Sequence, residues 1–507
     1  MRILASPFAR PSSIPTPLPG GFDPALLPAL IEGPGQEGLR ARLADPEVLV
    51  VTTGQQPALF TGPLYAVHKA LSAAALARLL SERWGRSVVP IFWVASDDHD
   101  FAEANHAAWL QADGSLHVEA LRARPAGAAL RPMSQEPLGP GVEAAVASLG
   151  AALAPWEGGE EVLQWVRTHF RAGATVGAAS GAALAELLAP LGVLCLDGSH
   201  AALKARGAGL IRRALEDAEG LDRSLAARAA ELLAEGRDPG VAVGDRATLV
   251  MMEGREGRDR LVVEGGEFVA RHGGERYSLG ELGALLESEP GRFSANVLLR
   301  PVLERHLLPT VAYVGGPGEL RYLALAEAVY QGLGVSPQLP VPRWSGYLVE
   351  PRVDRVLAKF GASVEELLAP GERLEARVAR TQLPPEAEPS LAALRRAIEE
   401  QYGVLERAAT EVDPTLERSI GGLKGRALAG LDRAEKKLIQ HLKRRHATET
   451  EQIRRARTAL QPGGRPQERV LTVAPFLARY GPGILTQLRD EMAAWYASAL
   501  EGAAPSP

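Results

Sequence analysis

Between Val48 and Asn105 the sequence passes twice from an apolar run into a polar exit, and this pattern limits the possible folds more than any other stretch. The first run, Val48-Leu49-Val50-Val51-Thr52, enters Thr53-Gly54-Gln55-Gln56-Pro57 and Thr61-Gly62-Pro63-Leu64-Tyr65, then an Ala/Leu-rich segment that carries His68 and Lys69. The second, Val88-Val89-Pro90-Ile91-Phe92-Trp93-Val94, empties into Ser96-Asp97-Asp98-His99-Asp100. Between them Ala66, Ala70, Ala73, Leu76, Leu79 and Leu80 have helical spacing, with Pro63 tolerated in a first turn and Gly85 as the stop. Strand, glycine-bearing loop, helix, strand is the unit of a parallel sheet, whose ligands gather at the carboxyl ends of strands. Both polar clusters are therefore expected along one sheet edge.

The pattern returns further on. Val193-Leu194-Cys195-Leu196-Asp197 ends at Gly198-Ser199-His200, ahead of a helix expected from Ala201 to Glu235. Thr310-Val311-Ala312-Tyr313-Val314 enters Gly315-Gly316-Pro317-Gly318-Glu319 and a helix from Leu320 to Gly332. A chain of 507 residues exceeds one ordinary core, and about three structural units are expected. Residues 1–350 read as a Rossmann-like α/β core with insertions at about 107–190 (mixed) and 241–290 (β-rich). The second insertion has short apolar runs between Gly-rich turns; no helix follows those glycines, which excludes a dinucleotide fingerprint. Residues 1–47 read as an arm packed on the core, with a helical patch around Pro24 to Leu43.

Residues 351–465 change to helical spacing. Ser363-Val364-Glu365-Glu366 is a capping box. Leu391, Ile398, Leu405 and Val412 recur every seven residues, with Tyr402 and Ala409 filling the seam, and Asp413-Pro414 breaks the run. A second long helix follows, so an antiparallel coiled-coil hairpin is expected, with homodimerisation through it. Lys436-Lys437 and Lys443-Arg444-Arg445-His446 read as its solvated face. Residues 466–507 are expected to return to the core.

Composition narrows the function classes. A net charge of -5 gives no global reason to expect nucleic acid. No apolar run approaches the ~18 residues of a membrane span, and the Pro-rich stretch from Pro11 to Pro19 is unlike a secretory signal. A single cysteine, Cys195, cannot form an intrachain disulfide; lying inside an apolar run, it reads as a buried structural thiol. A cytoplasmic location is expected.

The two glycine loops each place free backbone N–H groups ahead of a helix, where an anion is favoured. Neither is a Walker motif; together they point to a phosphate or carboxylate site, and a plain tight turn is the alternative for each. Lys69 is the first lysine of the chain, the next being Lys204, and is either a point charge for that anion or a solvated helix residue. Asp97, Asp98, His99 and Asp100 suit general acid–base chemistry, because a histidine flanked by carboxylates is adjustable near neutral pH. The carboxylates can also hold Mg²⁺ with substrate phosphates, whereas zinc would want another His or Cys. The remaining alternative is a strand exit capped by carboxylates.

These stretches also carry a resemblance. Thr53-Gly54-Gln55-Gln56, Thr61-Gly62-Pro63-Leu64-Tyr65 with Lys69, Phe92 through Asp100 followed by Asn105-His106, Ser294 through Pro301, Tyr313 through Glu319, and Gln467-Glu468-Arg469-Val470 resemble the cysteine-adding enzymes of bacillithiol biosynthesis, the BshC family. The resemblance spans nearly the whole chain. It implies a ligase that joins cysteine to glucosaminyl malate by an amide bond, with ATP (or ADP) as nucleotide and activation through a cysteinyl adenylate or acyl phosphate. It also implies a core like that of class I aminoacyl-tRNA synthetases and a dimerising coiled coil; the paired-histidine and lysine-loop signatures of those synthetases are absent here. Asp98, His99 and Asp100 are the candidate catalytic residues. The candidate substrate- or nucleotide-binding residues are Thr53, Gly54, Gln55, Gln56, Thr61, Gly62, Tyr65, Lys69, Ser96, Asp97, Asn105, Asn296, Arg300, Gly315, Gly316, Gly318 and Glu319. Two rival classes remain: another nucleotide-dependent transferase of similar fold, which would show no cysteine-dependent turnover, and a non-catalytic nucleotide-binding scaffold, which would tolerate loss of the acid cluster.

Overall fold

A computed structural model describes residues 1–244 and 246–503. The chain forms two compact units, one of residues 3–347 with 466–507 and one of residues 1–2 with 348–465. The first is α/β. Its main sheet has six strands: β1 (Leu30–Ile31), β2 (Leu49–Gln55), β3 (Val88–Val94), β4 (Leu194–Asp197), β5 (Thr310–Gly315) and β6 (Leu339–Pro342), in the order β6-β5-β2-β3-β4-β1. All neighbours are parallel except β1, which runs antiparallel to β4. The edge strand β1 lies in the segment expected to be a packed arm; two residues carry too little pattern to be seen.

The parallel strands are buried almost from end to end because both faces are covered, and their apolar runs give way to polar residues toward their carboxyl ends. Val89, Ile91 and Trp93 of β3 pack with Phe22, Leu26, Leu194 and Leu196 on one face. The helix Tyr65–Trp84 covers strands β2 and β3 and is itself packed by the helix Gly483–Ala499. Gly54 is required by close approach: a Cβ there would lie 2.7 Å from the Trp93 carbonyl oxygen on the paired strand.

The insertion at 107–190 holds a hairpin, His106–Leu110 with Leu116–Ala120, and three helices, Gly141–Leu153, Gly159–His169 and Val176–Leu188. The helix expected from 201 to 235 is two, Ala201–Glu216 and Ala218–Ala234, broken at Asp217. The β-rich insertion is a five-stranded antiparallel sheet from Ala247 to Ala295, interrupted by a helix, Leu279–Ser288, where only strands and turns were expected. That helix starts at a reciprocal cap: Glu281 N–H donates to Ser278 Oγ and Ser278 N–H to Glu281 Oε2. The signal Ser-x-x-Glu stands in the sequence.

In the second unit, Ala387–Val412 and Leu416–Arg445 form the hairpin, and Ala447–Leu460 continues after a break at His446. The expected heptad is only half right. Leu391 and Ile398 are half-buried in the seam, but Leu405 is 49% and Val412 81% exposed. A straight helix drifts about 20° per heptad, and the seam passes instead through Tyr402, Glu406 and Ala409.

Candidate active site

The exits of strands β2, β3, β5 and β6 meet in one cleft of about 530 Å³, walled by Gly54–Gln56, Asp97–His99, Gly316–Glu319 and Arg343. The antiparallel sheet adds Arg258 and Arg260, the turn after its last strand adds Asn296, the helix beginning at Arg300 adds that arginine, and the 467–469 segment adds Arg469. The two glycine loops therefore share one site, as parallel strand ends require.

Lys69 does not serve as a free cation. Its ammonium has three N–H groups, and all three are used: on the Gly54 carbonyl oxygen (2.8 Å), Gln55 Oε1 (2.8 Å) and Glu319 Oε2 (2.6 Å). Burial lowers the Lys69 pKa, opposed by Glu319; burial raises that of Glu319, and Lys69 together with the Tyr313 and Gly316 hydrogen bonds outweighs it to leave the carboxyl below its ordinary value. Glu319 also takes the Gly316 N–H (2.8 Å) and the Tyr313 hydroxyl (2.5 Å). The pair staples the first loop to the helix Pro317–Gly332, and the protein's own carboxylate occupies part of the expected anion position.

Arg343 is also paired with a carboxylate, but it keeps one donor that Lys69 does not. It is buried, its terminal nitrogens are held by Glu468 (Nη1 at 3.0 Å, Nη2 at 2.5 Å), and its Nε–H is buried without an acceptor. A Cβ built on Gly316 would lie 3.6 Å from that Nε. His68 Nδ1 sits 3.0 Å from the same carboxylate, and burial keeps the imidazole pKa low.

The acid cluster divides. Asp97 is paired with Lys204 (2.7 Å). Asp98 Oδ1 accepts the His99 N–H (2.7 Å) and the Asp100 N–H (3.2 Å), leaving Oδ2 without a protein partner among the described residues. His99 Nδ1 lies 3.0 Å from an Arg258 nitrogen, which can only donate, so the neutral ring carries its proton on Nε2. Burial first, then Arg258, lowers the His99 pKa. The ring is thus set as a donor, with its basic nitrogen occupied.

Asp100 is no wall of the cleft. Its carboxylate accepts the Glu103 N–H (3.1 Å) and caps the short helix Phe101–Ala104, the capping alternative for that position. Asp100→Ala is expected to cost about 1 kcal/mol in urea unfolding and to retain turnover; loss of turnover without loss of stability would return Asp100 to the site.

Six other candidates also lie outside the cleft wall. Thr53 Oγ1 donates to the Val314 carbonyl (2.7 Å), tying β2 to β5, and the Gly315 carbonyl accepts from Arg343 N–H (2.9 Å). Thr61 and Gly62 form a turn with positive φ (66° and 75°), on which the 471–472 segment docks through Thr472 Oγ1 and the Phe60 carbonyl. Ser96 Oγ donates to Asp197, joining two strand exits, and Asn105 Nδ2 bonds the Arg122 carbonyl (3.3 Å). These six hold the loops that carry the cleft. Gln55, Gln56, Tyr65, Asn296 and Arg300 do line it. The sequence reading missed Arg258, Arg260, Arg343 and Arg469, and Glu103 at the rim, whose pKa is raised by burial and then by Asp100 and Asp98.

Among the described residues no three His, Cys, Asp or Glu side chains cluster as metal ligands, and no helix is long and apolar enough to cross a membrane. Burial pushes the Cys195 thiol up to about 12.

Comparison with known proteins gives two matching family models. Residues 39–344 match the bacillithiol biosynthesis BshC N-terminal Rossmann-like domain, and residues 346–495 the BshC C-terminal coiled-coil domain. Relatives named "Putative cysteine ligase BshC" include one from Solibacter usitatus, 32% identical over 471 residues (92% of this chain, 87% of the relative). One from Koribacter versatilis is 32% identical over 440 residues (87% and 81%), and one from Bacillus cytotoxicus 27% over 460 (89% and 84%).

Proposed function

The chain belongs to the BshC family of bacillithiol biosynthesis, and from that premise we propose that it joins the carboxyl group of L-cysteine to the amine of glucosaminyl malate. The observation that carries this reading is one cleft at the parallel strand ends that holds both a carboxylate oxygen, Asp98 Oδ2, and two cations, Arg258 and Arg260, without acidic partners among the described residues. Amide formation needs an activated carboxyl group and an amine relieved of a proton. Asp98 Oδ2 is the acceptor for that proton, and His99 Nε2–H donates to oxygen that gains negative charge.

ATP would supply the activation. The buried Nε–H of Arg343 beside Gly316 fits an anionic group such as a phosphate, and Arg300 lines the same part of the cleft. Mg²⁺ would be held chiefly by the nucleotide, with one or two carboxylates from the protein. The reaction belongs in the cytoplasm on this reading.

The decisive experiment incubates the purified protein with cysteine, glucosaminyl malate and ATP and follows bacillithiol by mass spectrometry. Product is expected only with all three; product without cysteine, or none at all, sinks the assignment.

The hairpin supports homodimerisation. Leu394, Leu405 and Val412 are exposed, and at 3.6 residues per turn they fall within about 20° of one another on the flank of the helix beside the seam. An exposed apolar stripe of this kind marks an interface. Light scattering should give twice the chain mass for the native protein and the single-chain mass for the Leu394→Glu, Leu405→Glu double variant. A native monomer at micromolar concentration would refute this.

A further inference from the structure

The antiparallel sheet of the β-rich insertion contributes two arginines to the cleft, Arg258 and Arg260, and neither has an acidic partner among the described residues. They stand two apart on the strand Gly257–Glu264 and so share a face. Asp259 between them is engaged elsewhere: its Oδ2 accepts the N–H groups of His272 (2.6 Å) and Gly273 (2.9 Å), and its Oδ1 lies 2.7 Å from His272 Nδ1.

Arg258 is 8% exposed. Its Nε–H donates to Ser294 Oγ (2.8 Å), one terminal nitrogen to the Ala295 carbonyl (2.8 Å) and the other to His99 Nδ1 (3.0 Å). A guanidinium has five N–H donors, so two remain, one on each terminal nitrogen, the spacing an oxyanion takes bidentately. The Arg260 guanidinium makes no hydrogen bond to the described residues. Burial lowers its pKa, and Arg271 and Arg258 lower it further. Like charges gathered out of water are costly, and buried charges are ordinarily paired.

We infer that Arg258 and Arg260 are the receptor for a dianionic part of the substrate, the two carboxylates of the malyl group. This rests on the reading of the acceptor as glucosaminyl malate. Two guanidiniums on alternate residues of one strand, roughly 6–7 Å apart at their Cα atoms, suit two separate carboxylates better than one phosphate. On this reading the inserted sheet holds the acceptor's acidic end beside His99, which Arg258 touches, and leaves the Gly316 and Arg343 walls of the cleft to the activated carboxyl group.

Calorimetry on the full chain tests this with L-malate and with inorganic phosphate as separate probes. Arg260→Gln removes no hydrogen bond from the fold, and Arg258→Lys keeps the charge while removing the fork. Both variants should bind L-malate about tenfold more weakly or worse, with phosphate binding unchanged. In turnover, the KM for glucosaminyl malate should rise while that for cysteine does not. Unchanged malate binding in both variants overturns the inference, and so does a parallel loss of phosphate binding, which would make the pair a nucleotide site. If the native protein makes no bacillithiol yet binds malate through Arg260, the receptor stands and the ligase reading fails. If bacillithiol forms and Arg260→Gln keeps the native KM, the reverse holds.

Discussion

Asp98→Asn should lower the rate of bacillithiol formation by ~10²–10⁴-fold, the usual loss on removing a positioned base, with little change in melting temperature. The substitution is nearly isosteric. Asn keeps an oxygen where Oδ1 accepts the N–H groups of His99 and Asp100, so the turn after β3 survives. The second oxygen, which has no protein partner among the described residues, becomes an NH₂ group that cannot take a proton. His99 cannot substitute, because Arg258 holds its Nδ1 and its other nitrogen already carries hydrogen. Single-turnover mass spectrometry separates the chemical step from binding, and circular dichroism checks the fold. A variant with near-native turnover would remove Asp98 from the mechanism.

The largest effect on stability is expected at Glu468. Its carboxylate takes two hydrogen bonds from Arg343, faces His68 Nδ1 and lies 3.4 Å from the Gly346 N–H. Glu468→Gln leaves the Arg343 charge buried without a counter-charge, a loss of about 3–5 kcal/mol. The pH dependence has a defined sign. Burial raises the Glu468 pKa, but His68 and Arg343 outweigh it and bring it from 4.5 to about 2. Above pH ~4.5 the carboxylate is ionised in folded and unfolded chains alike, and its contribution is complete; as pH falls toward 2 that contribution is lost. His68 acts in the same direction from higher pH. Burial lowers its pKa from 6.5, so below that value the unfolded chain binds a proton that the folded chain refuses. Urea midpoints of the native protein should decline gently below pH ~6.5 and more steeply below ~4.5. The variant should start lower and show a shallower limb below ~4.5, where Glu319, also held below its ordinary value, still contributes. A variant with a native midpoint at pH 7 would show that Arg343 finds another partner.

The parallel strands and their shared polar edge are legible in the sequence because burial of both faces makes each run apolar up to an abrupt polar exit. Asp97, Asp98, Gln55 and Glu319 stand out as strand exits for the same reason. What escapes depends on partners far away in sequence. Lys69 looks available until Glu319 arrives, and Arg258 looks like one charge among many in a hairpin until its strand is laid beside His99. Two errors are local. Asp100 is followed by Glu103, the spacing of a helix start, and Ser278 with Glu281 repeats it; the first helix, of four residues, is too short to carry a period, whereas the second has Leu279, Leu282, Leu285 and Leu286 at helical spacing and is there to be read. The heptad from Leu391 fails for a geometric reason, since only supercoiling keeps a seven-residue repeat on one side of a helix.

The ion pair between Arg343 and Glu468 also sets a clock for synthesis. Its partners are 125 residues apart, with the whole helical hairpin between them. At ~5–20 residues per second the ribosome needs roughly 6–25 s to deliver Glu468 after Arg343 has been made. Through that interval the emerging α/β core has every strand of its main sheet but not the carboxylate that neutralises Arg343. The hairpin must therefore leave the exit tunnel before the part of the chain that precedes it can finish folding.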